Sequence, residues 1–505
     1  MNSTKCYLPL STHRKFMIGA VLCVLVSLTP LAQAQTASSW LTSLLNSIPD
    51  GGWVKASTNN FSDAWPQGAD AVNLDSYSSP SAILRAWSSF AWDSQSQELL
   101  LWGGGHANYA GNEMYVWDGI TGKWGRGSLP SRLDLVTQLD NNNQLVRQDY
   151  FVVDGAAPQS AHTYDNNLYL PVNNMFVTFG GANFNNGSVF QTLPMVNGSP
   201  TTAGPWLWDP TKADPTKVGG TTGSGYNTVD VAQGGNMWIN RRDQLTGDNL
   251  WNTPALNSGS PHNSGTTAYR TENGHDVVYF TADSQQSGWV SLYRYEFGDV
   301  RNGGKDVLTQ VGKPSYLSIG WDGAGTIDTR RNLYIRSASP TGTRVADLMA
   351  WSLDPAGGIK TDIPIVLVNK DGTPFAMNND FGIDYDSATD RLYLWDGNSL
   401  DAGTVWSVAL PSGTDSTTWT VTKLTSTTAS HPSGSFSTGV FGKWKYVSEL
   451  GAFIALDENP SLESPVWLYK PLVEAVPEPE KYSMLLAGLA MIILVAGKKM
   501  GRANI

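Results

Sequence analysis

One unit recurs through the middle of the chain: an Asp or a turn, an apolar aromatic-rich strand, a loop, and a closing strand that holds Trp or Tyr. It reads FAWDSQSQELLLWGGG…NEMYVWD from Phe90, TYDNNLYLPVNNMFVTFGG…PWLWD from Thr163, and TAYRTENGHDVVYFTAD…VSLYRYEF from Thr267. It returns from Gly325, Phe381 and Gly442, so the last four copies start 58, 56 and 61 residues apart. A unit of this kind buries its apolar face by stacking on its neighbours. Regular spacing without Pro/Ser linkers predicts one closed array rather than a string of sandwich domains. The composition agrees, with 51 Gly and 27 Pro for turns and 20 Trp and 19 Tyr to pack on pleated surfaces. Earlier spacings are longer, and insertions or a poorly matching unit near Gly234–Asp243 are expected to fill the gap.

These six clear units, with a possible seventh, resemble the blades of kelch-type β-propellers, whose repeats run about 50 residues with four strands each. LWGGG at 101–105, with Trp124 after the next strand, and VTFGG at 177–181 match the di-glycine signature best. LYLWDG and FIALDE keep the strand and lose the glycine pair. The resemblance implies an all-β fold, a single kelch-like β-propeller of six or seven blades over residues 85–471. Residues 35–84 would supply ring-closing strands or a cap.

Both ends predict export. Lys5, Arg14 and Lys15 precede an apolar run that closes on Ala32-Gln33-Ala34, the pattern of a signal peptide over residues 1–34. At the other end Val476-Pro477-Glu478-Pro479 precedes the apolar segment 482–497, then Lys498, Lys499 and Arg502. That order resembles the PEP-CTERM sorting signal, assigned here to residues 472–505. The resemblance implies an exosortase-type processing peptidase as partner, a link to exopolysaccharide, and transient anchoring by a transmembrane helix at 482–497. The expected location is the cell surface or extracellular matrix.

Cys6 and Cys23 both lie in the predicted signal peptide, so the mature chain holds no thiol for a disulfide, a thiolate metal site or a cysteine nucleophile. The chain carries a formal charge of −11, and removing the basic ends leaves −17 on residues 35–497. Such a surface repels nucleic acid, which binds through neutralised phosphates. Stretches such as Asp140–Gln144 lack the spacing of calcium loops, and no metal or cofactor is expected.

Two polar clusters are candidates for chemistry. GGGHANYAGNE carries His106, Asn108, Tyr109, Asn112 and Glu113, after glycines that let a ligand approach the main chain. SAHTYDNN carries His162 and Tyr164, which share a face if the segment is extended. His with Tyr can pair a base with an acid able to protonate a leaving oxygen. Arg85 and Arg270 could neutralise a carboxylate. The pairs Arg241-Arg242 and Arg330-Arg331, with Asp243, read as solvated turn residues, and His262 and His431 as loop residues.

Three functions follow. The favoured one is an exported propeller that binds glycans or surface proteins, with Asn108, Asn112 and Glu113 in the ligand site. The alternative is a polysaccharide lyase or another glycan-active enzyme, since the chain resembles propeller lyases of uronic-acid polymers such as the ulvan lyases. In that reading His106 or His162 is the base, Tyr164 or Tyr109 the acid, and Arg85 or Arg270 meets the carboxylate. A copper radical oxidase of the galactose-oxidase type is excluded, because its crosslinked tyrosine needs a cysteine the mature chain lacks.

Overall fold

The computed structural model describes residues 37–472 apart from short internal segments, the longest being 222–233 and 248–264. The predicted signal-peptide residues 1–34, the Val476–Pro479 motif, the segment 482–497 and His262 lie outside the described residues. Among the described residues no helix is long and apolar enough to cross a membrane.

The fold is all-β and propeller-like. The described strands form six four-stranded antiparallel runs, called blades here, in chain order. Blade 1 is Phe90–Asp93, Glu98–Leu101, Tyr115–Asp118 and Lys123–Arg126. Blade 2 is Asn167–Leu170, Met175–Thr178, Trp206–Trp208 and Trp238–Asn240. Blades 3, 4 and 5 begin with Thr267–Glu272, Gly325–Asp328 and Gly382–Asp386, and blades 4 and 5 join edge to edge through one parallel pairing. Blade 6 begins with Trp444–Val447, and its fourth strand is the early segment Trp53–Lys55, paired with Val466–Tyr469. That pairing closes the ring by joining the two ends of the described chain. Trp53 is buried and sits 5.4 Å from Trp395, 5.7 Å from Trp444 and 4.9 Å from Tyr469, so the closure is a packed aromatic cluster.

The recurring Asp of the sequence unit has a structural task. Asp93, Asp328 and Asp386 end innermost strands, and the Oδ1 of each accepts backbone N–H groups of the turn that follows. The turns close on Gln97, Asn174, Asn273, Asn332 and Asp390, all with positive φ. Four of the five are Asn or Asp, which tolerate that conformation best.

Gly234–Asp243 is not a seventh unit. It contains the outermost strand of blade 2, Trp238–Asn240, with Trp238 against Trp102 at 5.6 Å. The long early spacing comes from two inserted hairpins, Leu133–Leu139 with Leu145–Val152 and Gln191–Val196 with Ser199–Thr202. The arginine pairs are also not simply solvated. Arg241 is buried and holds Asp306 through two contacts of 2.9 and 2.6 Å. Arg331 bridges Asp328 and Asp390, both at 2.8 Å, and Arg330 is the more solvated member of its pair. Each charge neutralises a strand-end or turn carboxylate that burial would otherwise disfavour.

The six innermost strands start on one face, here the upper face, and meet around an axis closed by a polar plug. Asp165, just before blade 2, accepts from Gly325 N at 2.8 Å and from Lys445 Nζ at 3.0 Å, and its carbonyl accepts from the Thr267 hydroxyl. Asp384 accepts from Thr326 Oγ1 at 2.5 Å and Tyr446 N at 2.7 Å. These contacts bind blades 2 to 6 across the axis. Below the plug lies a cavity of about 360 Å³, lined in part by Tyr169, Tyr269, Tyr385, Tyr446 and Lys445.

Blade 1 contains a proton-linked position. Glu98 pairs with Asp93 on one neighbouring strand and Asp118 on the other. Burial first, then those two carboxylates, push it up to about 7 from the usual 4.5. The folded chain therefore holds this proton to higher pH than the unfolded chain does. Stability is expected to fall as pH rises from 4.5 through about 7, and Glu98→Gln should flatten that fall. Denaturant unfolding of both proteins across that range checks it.

Candidate functional site

The glycine run 103–105 delivers His106 to the upper face. Gly103 and Gly104 have φ of +136° and +103°, which side-chain-bearing residues rarely adopt, and a Cβ on Gly105 would lie 2.3 Å from Ala161 Cα. The run lies flush against the segment leading into blade 2, with Gly104 N donating to Ala161 O at 3.0 Å and Ser160 Oγ to Gly103 O at 3.0 Å. On the far side a Cβ on Gly187 would strike the His106 ring. The loop therefore sets His106 beside His162 by backbone fit.

The two sequence clusters meet there. The His106 and His162 rings are 5.4 Å apart, and the His162 and Tyr164 rings 6.1 Å. Trp87 lies against His162 at 4.7 Å and 32° between planes, and Phe441 is 6.1 Å from Tyr164. Backbone bonds tie the segments together: Tyr164 N to Trp87 O at 2.6 Å and Gly442 N to Tyr164 O at 3.3 Å. His162 and Tyr164 do not share the face of one extended strand, since Tyr164 has φ +47°. They meet because the chain turns at Tyr164.

Asn108 fixes the state of His162. Its Nδ2 is 2.9 Å from His106 O and 2.9 Å from His162 Nε2. A carbonyl only accepts, so the amide nitrogen must face both groups and His162 Nε2 must accept. His162 is thus held as the neutral tautomer with its proton on Nδ1. His106 is exposed at the rim.

Tyr164 is 6% exposed, and no described residue bonds its hydroxyl. Burial, then the nearby Asp322 charge, push that hydroxyl well above the usual tyrosine range, so it keeps its proton. Arg85 ends the short helix Ala82–Arg85 two residues before Trp87, is exposed, and has no carboxylate partner among the described residues. Its Nη2 reaches Ser81 Oγ at 3.1 Å. The Thr438 hydroxyl pins this turn by donating to Arg85 O at 2.5 Å and accepting from Trp87 N at 3.2 Å. Beneath it Lys443 is fully buried and donates to Leu84 O at 3.0 Å, and burial lowers its pKa to about 8.

Backbone strain concentrates in this cluster. Trp87, His106, Ala107, Tyr164 and Phe441 have φ of 43, 36, 57, 47 and 47°. Such positions cost of order 1–3 kcal/mol each and collect at functional sites. Most of the other non-glycine positive φ values belong to Asn and Asp.

Four of the candidates belong elsewhere. Tyr109 and Glu113 are buried below the loop, where Glu113 Oε1 accepts from Tyr109 and Tyr115 hydroxyls, both at 2.5 Å. Burial raises the Glu113 pKa. Asn112 is buried, donating to Pro158 O at 2.8 Å and accepting from Ser131 N at 2.7 Å. These three are buried and brace the loop from below. Arg270 lies toward the lower end of its innermost strand, paired with Glu272 at 2.5 Å and over the Tyr279 ring at 5.1 Å. His431 donates to the neighbouring Pro432 O at 2.9 Å. Sequence reasoning missed Trp87 and Phe441, which carry no motif and are marked only by a backbone conformation. If Tyr109 only braces the loop, Tyr109→Phe should lower stability by about 1 kcal/mol and leave any turnover unchanged, as unfolding and rate measurements on one preparation would show.

No protein-family model and no curated protein sequence matches the chain. Among solved structures it is similar to an α-L-arabinanase of Penicillium chrysogenum, determined in complex with arabinobiose. The identity is 12% over 82% of this chain and 97% of that one, with a TM-score of 0.36. A likeness of that degree assigns neither residues nor activity to this chain.

Proposed function

We propose that the protein is an exported, glycan-active propeller whose upper-face cluster cleaves uronic-acid polymers by β-elimination. The observation that carries this reading is the convergence of His106, His162 and Tyr164 on strained backbone, with Arg85 two residues before Trp87 and without a carboxylate partner among the described residues. In β-elimination a base takes the proton α to the uronate carboxylate, the C–O bond to the leaving sugar breaks, and an acid protonates the departing oxygen. His106 suits the base, being exposed at the rim. His162, with Nε2 engaged by Asn108, holds the ring stack in place. Tyr164 keeps its proton and has no described partner, which suits the acid. Arg85 can meet the carboxylate and ease loss of the α proton.

Export, exosortase-type processing and the kelch affiliation belong to the same proposal. They rest on the terminal sequence patterns and on the glycine pairs at Gly103–Gly104 and Gly180–Gly181. Elimination adds no water, so the masses of the two products of one cleavage should sum to that of the substrate oligomer. A sum greater by one water would mean hydrolysis and would remove the assignment. The alternative, a binding module, is favoured by the same acid-binding and aromatic groups and would show retention of polymer without cleavage.

A further inference from the structure

Trp87 has an oddly costly placement for a side chain with no assigned task. It sits at φ 43°, a conformation in which a bulky residue is strained. Three separate contacts hold it there: Thr438 Oγ1 on its N–H, Tyr164 N on its carbonyl, and the His162 ring against one face. The indole is only half-buried, and no described residue takes its Nε1–H. Most of the buried tryptophans of the ring cores serve packing, whereas this one presents ring surface and a spare donor beside His162 and Tyr164.

We infer that Trp87 is the specificity-determining platform that seats a hexuronate ring of an acidic glycan. This rests on the reading of the upper-face cluster as a glycan site. An aromatic face takes the C–H side of a pyranose, and the indole N–H can donate to a hydroxyl or carboxylate oxygen. Arg85, on the same pinned turn, supplies the charge that selects an acidic sugar over a neutral one. The stack would hold the sugar beside His106 and Tyr164, since the Trp87, His106 and Tyr164 rings all lie against the His162 ring.

The test is affinity electrophoresis of the purified protein in gels containing polygalacturonate, alginate or neutral xylan, with unsaturated product assayed on the same samples. Trp87→Asn is the informative variant, because Asn accepts positive φ and carries no platform. Trp87→Phe keeps a ring and removes the donor. Equal unfolding midpoints establish that each variant folds. The expected result is retardation of the wild type by an acidic polymer and not by xylan. Trp87→Asn should weaken it about tenfold or more and Trp87→Phe by less, in line with one aromatic contact plus one hydrogen bond. Binding lost in Trp87→Asn without unsaturated product from the wild type would keep this inference and remove the elimination reading. Unsaturated product with unchanged affinity in Trp87→Asn would do the reverse. A wild type retarded by none of the acidic polymers would overturn the inference.

Discussion

His106→Ala is expected to lower the rate of unsaturated-product formation about 100- to 10,000-fold, the range that a positioned acid or base contributes. The Gly103–Gly105 run fixes the loop against Ala161 and so sets the exposed imidazole beside the His162 ring. An exposed side chain held by its backbone can be truncated with little loss of stability, so the rate should fall while the unfolding midpoint holds. Tyr164→Phe should reduce the rate comparably and keep the ring contacts to His162 and Phe441. Initial rates on an acidic polymer, with unfolding curves beside them, check both. A His106→Ala rate within a few-fold of the wild type would mean that His106 does not carry the proton.

The largest effect on stability should come from Asp165→Ala. Asp165 is 1% exposed and its carboxylate faces Lys445 Nζ at 3.0 Å and Gly325 N at 2.8 Å. Removing it strands a largely buried ammonium and a backbone donor at the point where the blades meet. Breaking one side of a buried pair costs about 3–5 kcal/mol, most of it the uncompensated charge. Asp165→Ala with Lys445→Met should recover part of the loss, because the stranded charge is gone. Denaturant unfolding of the single and double variants measures this. A loss under about 1 kcal/mol would mean that the plug does not hold the ring.

Much of this architecture is legible in the sequence because the repeat is made by local rules. The Asp that ends the innermost strand of blades 1, 4 and 5 caps the turn that follows, as Asp93, Asp328 and Asp386 do, and aromatic residues pack between blades, as Trp102 with Trp238 and Trp351 do. The pairing of Trp53–Lys55 with the last blade involves residues more than 400 positions apart and no local signal specifies it. The false seventh unit arose because Trp238 belongs to a strand that insertions had separated from its blade. At the candidate site, residue chemistry picked out His106, His162, Tyr164 and Asn108, which the fold brings together, and Arg85 on the adjoining turn. It could not separate them from Tyr109, Asn112 and Glu113, whose polar groups turn inward within the same short loop. Arg270 lies apart from that cluster, on Glu272, and alternation along a strand says nothing about height on the axis. Trp87 was invisible because its mark is a dihedral angle.

The claim that the upper-face cluster is an eliminating site has one direct test: ultraviolet absorbance of unsaturated uronate while the purified protein is incubated with polygalacturonate, alginate and ulvan. Rising absorbance is expected with one of these polymers, abolished in His106→Ala and Tyr164→Phe and retained in Tyr109→Phe. A flat trace with all three, or a rise that survives both of the first two substitutions, would contradict it.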